Sequence, residues 1–303
     1  MVRPFNRLFA YLLLVLLVLT ACGPGNDTST DTDSDAASAD AASADAEYAD
    51  KMATEHADDS PEASPAATGE PAMAVTTEDV VYATVDGVEV TGYLARPEDA
   101  AEGGPAVIVI QEWWGLNDNI RSMARQLAGE GYTALAVDLY GGEVAEDRDT
   151  ARSLMMAAME NRTAAEDNLR QAHAFLDAQG ATKIGSIGWC FGGGWSLNTA
   201  LMMGEELDAA VIYYGRVVTE AEQLEALATP VLGIFGAEDE GIPLDSVEAF
   251  RAASEGLGKD VTVHIYEGAD HAFANPSGGR YQAEAAEDAW AKTLTFFAQH
   301  LGS

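Results

Sequence analysis

A strand that runs into a glycine-flanked cysteine and then into a helix constrains this chain most. The turn is Gly188-Trp189-Cys190-Phe191-Gly192, between a predicted strand at 183–188 and a helix that continues to about Met203. The flanking positions of so tight a turn tolerate little more than hydrogen, which accounts for the glycines. The turn would hold Cys190 clear of the sheet, near the positive end of the helix dipole, where the pKa of a thiol is lowered. A buried structural cysteine is the alternative at this point.

Short apolar runs alternate with amphipathic stretches from Val80 onward. Asp86-Gly87 predicts a hairpin turn between strands at 80–85 and 88–95. Further strands are predicted at 106–111, 133–138, 183–188, 209–214, 231–236 and 261–266, with helices between them and a closing helix at 281–300. A hairpin followed by repeated strand–helix alternation predicts an α/β protein with a mostly parallel, doubly wound sheet and an N-terminal antiparallel hairpin.

The N-terminus carries an export pattern. Arg3 and Arg7 precede an apolar run at 9–19, which Leu19-Thr20-Ala21-Cys22 closes. This resembles the lipobox of bacterial lipoproteins and implies a signal peptide at 1–21 with lipidation of Cys22; an uncleaved anchor is the alternative. We therefore expect an exported lipoprotein of the cell envelope, periplasmic or outward-facing, that meets the membrane only through its lipid. With Cys22 so assigned, Cys190 has no intramolecular disulfide partner.

Residues 22–75 are rich in Asp, Ser, Ala and Thr, which predicts a disordered acidic linker before a folded domain at 76–303. Within the linker, Tyr48 and His56 are expected to be solvated, and His56 is a poor candidate metal ligand because no partner has suitable spacing. The net charge is −34, and 35 acidic against 13 basic residues follow Asp79. So acidic a chain argues against a nucleic-acid partner and suits a high-salt environment.

Two loops after predicted strands carry the other candidate catalytic groups. They are Gly236-Ala237-Glu238-Asp239 and Gly268-Ala269-Asp270-His271. The chain order nucleophile, acid, histidine is that of α/β-hydrolases. We expect His271 to take the Cys190 proton and Asp239 to fix the histidine tautomer. Glu238 is the alternative acid, Asp270 is expected to be a loop carboxylate, and the remaining histidines of the domain are expected to be structural or surface residues: His173, His264 and His300.

The segment Gln111-Glu112-Trp113-Trp114-Gly115 follows the first buried strand. In an α/β-hydrolase this loop supplies the second oxyanion donor, so the expected donors are the backbone N–H groups of Phe191 and Trp113. Trp114, Tyr140 and Tyr214 are expected to line the substrate pocket, although core packing explains such aromatic residues equally well.

The ordered set of motifs resembles the dienelactone hydrolase family over about residues 80–301. It comprises Gln-Glu-x-x-Gly, Asp138-Leu139-Tyr140, Gly-x-Cys-x-Gly, Tyr213-Tyr214-Gly215, Gly-x-x-Asp and Asp-His-x-Phe. The resemblance implies an α/β-hydrolase fold and a Cys190-Asp239-His271 triad that cleaves a lactone or related ester through an acyl-enzyme. It also implies that Glu112 contacts the resting cysteine and helps to generate the thiolate once substrate binds.

One departure from the family bears on the substrate. The family holds a substrate carboxylate with arginines, one of them four residues after the catalytic histidine, where this chain has Asn275; Arg148 or Arg152 is the candidate for the other. Without that clamp, and in so negative a field, an uncharged ester or lactone is expected. No metal or cofactor is expected, and the oligomeric state stays open. The alternatives are a broader esterase or acyl hydrolase, a non-catalytic surface binding protein on the same fold, and a redox sensor at Cys190.

Overall fold

The computed structural model describes residues 32–57, 59–64, 69–99 and 103–302. Its contacts divide the chain into Met1–Asp40 and Ala41–Ser303, and every strand belongs to the second unit. The predicted signal peptide at 1–21 and the predicted lipidation site Cys22 lie outside the described residues. Within the described ranges, no helix has both the length and the apolar character needed to cross a membrane.

The predicted hairpin is present, and it is followed by alternating strands and helices. Asp86 and Gly87, with φ of 51° and 79°, have the two positive values that a tight hairpin turn requires. The elements are α1 (Thr32–Glu55), β1 (Val75–Val85), β2 (Val88–Pro97), β3 (Pro105–Ile110), α2 (Asp118–Gly129), β4 (Thr133–Ala136), α3 (Arg148–Glu160), α4 (Arg162–Ala178), β5 (Lys183–Trp189), α5 (Phe191–Met203), β6 (Ala209–Tyr213), α6 (Ala221–Leu224), β7 (Val231–Gly236), α7 (Leu244–Gly256), β8 (Val261–Tyr266) and α8 (Ala283–His300).

The eight strands form one sheet in the order β1-β2-β4-β3-β5-β6-β7-β8. β2 pairs antiparallel with both β1 and β4, and the pairs from β4 through β8 are parallel. The predicted fold class, a mostly parallel sheet with an antiparallel N-terminal pair, is therefore confirmed. The carboxyl ends of the central strands meet at one edge, which is where such sheets place their ligands.

The centre of the sheet is buried on both faces, and α5 packs directly against it. The strands β3, β6 and β7 consist almost wholly of buried residues, as their continuous apolar sequences predict. A Cβ on Gly193 would lie 2.6 Å from the Tyr213 carbonyl oxygen, so the glycines after the elbow allow α5 to approach β6 closely. This close approach fixes the start of α5, and with it Cys190.

The structure differs from the sequence prediction over the first part of the described chain. Residues Thr32–Glu55 are helical, although they fall in the segment predicted as a disordered linker. Tyr48 and His56, predicted to be solvated, are buried, and for these two residues the prediction is wrong. Composition predicted disorder because few large apolar side chains are present, but the few that exist pack against the domain.

Candidate active site

Cys190 lies at a strained turn between β5 and α5. Its φ of 55° and ψ of −118° are unusual for a residue with a side chain. A Cβ on Gly188 would lie 2.0 Å from the Gly192 carbonyl oxygen, and one on Gly192 would lie 2.4 Å from the Ile110 oxygen, so both glycines are required. The Cys190 amide donates to the Tyr213 oxygen at 3.0 Å, which ties the turn to the neighbouring strand. The predicted strand–elbow–helix is therefore present in full.

Backbone strain is concentrated at this edge of the sheet. Among the described residues, four other than glycine have positive φ, and three of them lie after β5, β6 and β8: Cys190 (55°), Tyr214 (36°) and Ala272 (57°). Such conformations cost of order 1–3 kcal/mol each and persist where the surrounding structure holds them for a function. The strained residues therefore lie within the sequence motifs that predicted the site.

His271 and Asp239 form a buried pair beside the elbow. His271 Nδ1 is 2.8 Å from Asp239 Oδ2, and both side chains are fully buried. Asp239 Oδ1 accepts from the Ile242 amide at 2.7 Å, so both carboxylate oxygens are fixed. The alternatives fit less well, because Glu238 is exposed and Asp270 accepts instead from the His271 amide at 2.6 Å.

The charges of these groups favour a thiolate–imidazolium pair. Burial acts to raise the pKa of Cys190, but His271 and His56 outweigh it and lower the pKa to about 6. Burial likewise favours neutral His271, yet Asp239 and the cysteine raise its pKa well above the ordinary value. A lowered thiol pKa is typical of reactive cysteines and not of buried structural ones, whose pKa is raised.

Glu112 lies at the end of β3 and is 3% exposed. Burial, and next the neighbouring Cys190, raise its pKa to about 7. Its Oε2 accepts from Asn275 Nδ2 at 3.0 Å, so the residue that stands in place of the family's arginine holds Glu112. The expected contact of Glu112 with the resting cysteine stays a prediction, and the hydrogen bond that the structure shows for Glu112 is with Asn275.

The predicted pocket residues are gathered around the elbow. Trp113, Trp114, Tyr140 and Tyr214 are all buried, and the Tyr214 ring lies 5.2 Å from the His271 ring. Within the described chain, the two indole N–H groups and the two tyrosine hydroxyls have no hydrogen-bond partner. Phe191 is the first residue of α5, so its N–H has no acceptor within the helix. Unpaired buried donors of this kind are suited to the oxygen atoms of a substrate.

The candidate carboxylate-binding arginines do not reach the nucleophile. Arg148 is exposed at the start of α3. Arg152 Nε donates to Asp50 Oδ1 at 2.8 Å, so its charge is already paired. Neither residue forms part of an arginine clamp at Cys190.

Residues 43–57 and 59–64, here called the covering segment, lie over the nucleophile. His56 Nε2 and Met52 Sδ are each 3.5 Å from Cys190 Sγ, and Cys190 has no exposed surface. The His56 ring stacks on Trp113 at 4.6 Å between ring centroids. A substrate therefore reaches Cys190 only if part of the covering segment moves aside.

Ion pairs hold the covering segment on the domain. Arg280 pairs with Glu55 and, at 3.3 Å, with Asp59. Asp59 in turn pairs with His56 Nδ1 at 2.6 Å. Arg216 and Arg152 pair with two more of its acidic residues, Asp45 at 2.5 Å and Asp50 at 2.7 Å. The acidic composition that predicted disorder supplies these contacts.

Sequence reasoning missed the covering segment, although a signal for it exists. Tyr48, Met52 and His56 recur every fourth residue, so they share one face of a helix. All three are buried against the domain. His56 was a poor candidate metal ligand on sequence spacing alone, but the structure brings donor atoms of His56, Cys190 and His271 within 4.8 Å of one another. These three residues are far apart in sequence, and only the fold brings them together.

The sheet, the elbow and the histidine–aspartate pair together define an α/β-hydrolase. Comparison with known proteins agrees: residues 90–301 match the family model described as "Dienelactone hydrolase family". The chain belongs to the dienelactone hydrolase family, whose members are hydrolases acting on esters or lactones.

Individual relatives support the assignment. A protein of Saccharolobus solfataricus, provisionally named a carboxymethylenebutenolidase, is 33% identical over 256 residues, which are 72% of this chain and 97% of the relative. The "Protein usf" of Aquifex pyrophilus is 36% identical over 224 residues, which cover 71% of this chain and 96% of that protein. The solved structure of a dienelactone hydrolase-like promiscuous phosphotriesterase, P91, from metagenomic libraries matches with a TM-score of 0.68 and 28% identity, covering 76% of this chain and all of that one.

Proposed function

We propose that the protein hydrolyses an uncharged carboxylic ester or lactone through a Cys190 acyl-enzyme. The observation that carries this proposal is the buried His271–Asp239 pair beside a strained elbow whose thiol has a lowered pKa. These are the three groups that nucleophilic acyl transfer requires, in the chain order of the fold.

The chemistry follows from their positions. The Cys190 thiolate attacks the carbonyl carbon and forms a C–S bond, while the backbone N–H groups of Phe191 and Trp113 stabilise the oxyanion. The C–O bond then breaks, and the leaving oxygen takes the proton from His271. Water gives a proton to His271 as it attacks the thioester, the C–S bond breaks, and the thiolate is restored. Asp239 holds the imidazole in one tautomer and stabilises its charge throughout.

An uncharged substrate fits the surroundings of Cys190 better than an anionic one. Asn275 stands where the family has a carboxylate-binding arginine, and it donates to the buried Glu112. The chain carries a net charge of −34, which opposes the approach of an anion. The unpaired tyrosine hydroxyls and indole N–H groups instead offer neutral donors to ester oxygens.

The test uses the chain from residue 23 onward, so that the lipidation signal is removed and the covering segment is kept. Neutral lactones and short aryl esters are assayed in high salt beside Cys190→Ala, with circular dichroism to check that both proteins are folded. Turnover by the parent and its loss in the variant supports the proposal. Equal activity of the two proteins would exclude Cys190 as the nucleophile.

The identity of the substrate is tested separately. Relative rates on lactones and open-chain esters separate a lactonase from a broader esterase. Faster turnover of a carboxylated lactone than of its neutral analogue would refute the proposal of an uncharged substrate.

We also propose that the protein is an exported lipoprotein of the cell envelope, anchored through Cys22 ahead of a hydrolase domain at 76–303. The support is the n-region, apolar run and lipobox of the first 22 residues. Metabolic labelling with a palmitate analogue in a bacterial host tests it. Label should enter the parent and be absent from Cys22→Ala, and labelling of both would refute the assignment.

A further inference from the structure

Two histidines, each backed by a carboxylate, face the same sulfur atom. His56 Nε2 lies 3.5 Å from Cys190 Sγ, while its Nδ1 is bonded to Asp59 at 2.6 Å. His271 is bonded through Nδ1 to Asp239 at 2.8 Å, and Cys190 is the hydrogen-bonding neighbour on the other side of its ring. Hydrolysis as proposed above requires only one of these histidines. The second imidazole, contributed by the covering segment, needs a separate explanation.

We propose that Cys190, His271 and His56 form a binding site for Zn²⁺, and that the bound ion fastens the covering segment over the nucleophile. Donor atoms of the three residues lie within 4.8 Å of one another, and all three side chains are buried. Thiolate and imidazole are the ligands that zinc prefers. The proposal does not depend on the hydrolytic reaction, because it concerns binding alone.

The distances fit tetrahedral zinc. Ligand bonds of about 2.3 Å to sulfur and about 2.0–2.1 Å to nitrogen, at a tetrahedral angle, place the two ligand atoms about 3.5 Å apart. The separation of Cys190 Sγ and His56 Nε2 is 3.5 Å. The separation of these two ligand atoms therefore already matches that of a zinc site, and His271 has to move closer. Water or an anion takes the fourth position that a three-ligand zinc site leaves open.

The outer contacts are also those of a metal site. Histidines that bind zinc usually donate their other ring N–H to a carboxylate, which fixes the ring and the tautomer. Asp59 does this for His56 and Asp239 does it for His271. Asp59 is itself held by Arg280 at 3.3 Å and by the Gly279 amide at 3.2 Å. The covering segment thus presents His56 in one orientation.

The test measures metal binding by the chain from residue 23 onward, with no turnover required. Co²⁺ is the spectroscopic probe, because tetrahedral Co²⁺ absorbs strongly and a thiolate ligand adds a charge-transfer band; Zn²⁺ then displaces it in a competition titration. Excess Mg²⁺ and high salt suppress loose binding to the acidic surface. The parent should give one tight site per chain with both spectral features.

The variants identify the ligands. His56→Ala should bind Zn²⁺ about 100-fold more weakly or worse and lose the tetrahedral spectrum, and Asp59→Asn should cost about 10- to 100-fold. His173→Ala, at a partly exposed histidine that contacts the Glu206 oxygen, is the matched control and should bind as the parent does. If His56→Ala does not fold, His56→Gln is used in its place to remove the imidazole ligand. Unchanged affinity in the folded His56 variant, or unchanged affinity in Cys190→Ala, would overturn the proposal.

A second readout tests the fastening of the covering segment. Bound Zn²⁺ should slow alkylation of Cys190 by iodoacetamide at least about tenfold in the parent. In His56→Ala, the same concentration of Zn²⁺ should slow alkylation of Cys190 much less, because the ion no longer joins the covering segment to the domain. Equal protection of the parent and the variant would refute a role for the covering segment.

Discussion

Glu112→Gln should make the protein more stable at neutral pH and less active. Burial raises the pKa of Glu112 from 4.5 to about 7, with the neighbouring Cys190 as the next cause. Between these values the unfolded chain has the ionised carboxylate while the native chain keeps the proton. Unfolding then releases a proton, so the free energy of unfolding falls as the pH rises from about 4.5 to about 7.

The size of the effect follows from the shift. A difference of roughly 2.5 pKa units at about 1.36 kcal/mol per unit gives a loss of about 3 kcal/mol across that range. Glutamine cannot titrate, and its amide oxygen can still accept from Asn275 Nδ2, which lies 3.0 Å from Glu112 Oε2. The free energy of unfolding of the variant, relative to that of the parent, should therefore increase by about 3 kcal/mol between acid and neutral pH.

The assay is urea unfolding of both proteins, followed by tryptophan fluorescence at several pH values from about 5 to about 8. The difference in unfolding free energy should widen as the pH rises and then level off above about 7. In a Cys190→Ala background the widening should be smaller, because the thiolate helps to raise the Glu112 pKa. A difference that stays constant with pH would refute the reasoning. Turnover by folded Glu112→Gln should be largely lost, and unchanged turnover would remove Glu112 from the mechanism.

Three further predictions concern the thiol, the covering segment and the charge. Since the pKa of Cys190 is lowered to about 6, kcat/KM of the parent should fall as the pH drops through that value. In His271→Gln, whose turnover should be lost, the fall in the rate of Cys190 alkylation should instead begin at higher pH than in the parent, and an unchanged alkylation profile would contradict the thiolate assignment. Arg280→Ala removes a cation that pairs with two carboxylates of the covering segment and should speed alkylation of Cys190, whereas Arg251→Ala, which breaks a pair within one helix, should not. With a net charge of −34, the melting temperature should rise with added KCl, and greatest stability in low salt would refute adaptation to high salt.

The sequence predicted the fold and the arrangement of the hydrolase site because both depend on local patterns. The continuous apolar character of β3 and β7 predicts strands buried on both faces, and Asp86-Gly87 predicts the hairpin turn. Gly188 and Gly192 predict the elbow, since a side chain at either position would collide with backbone. Chain order then placed Asp239 and His271 in loops at the same edge. The sequence favoured Asp239 over the neighbouring Glu238, and the fold shows that Asp239 is the carboxylate that points at His271.

The covering segment could not be predicted in the same way, because its order depends on partners distant in sequence. Its composition lacks the apolar surface to fold alone, and the rule that such segments stay disordered holds for an isolated chain. Here the domain provides the apolar surface, since His56 stacks on Trp113 and Met52 packs against Gly241. Arg280 of the domain also forms ion pairs with two carboxylates of the segment. Two of its ion pairs, Arg152–Asp50 and Arg216–Asp45, are partly exposed and weaken with salt, whereas the His56–Asp59 pair and the Met52 side chain are buried. Substrate entry therefore requires buried contacts as well as exposed ion pairs to break, and a metal ion joining His56 to Cys190 would add one more contact that opposes it.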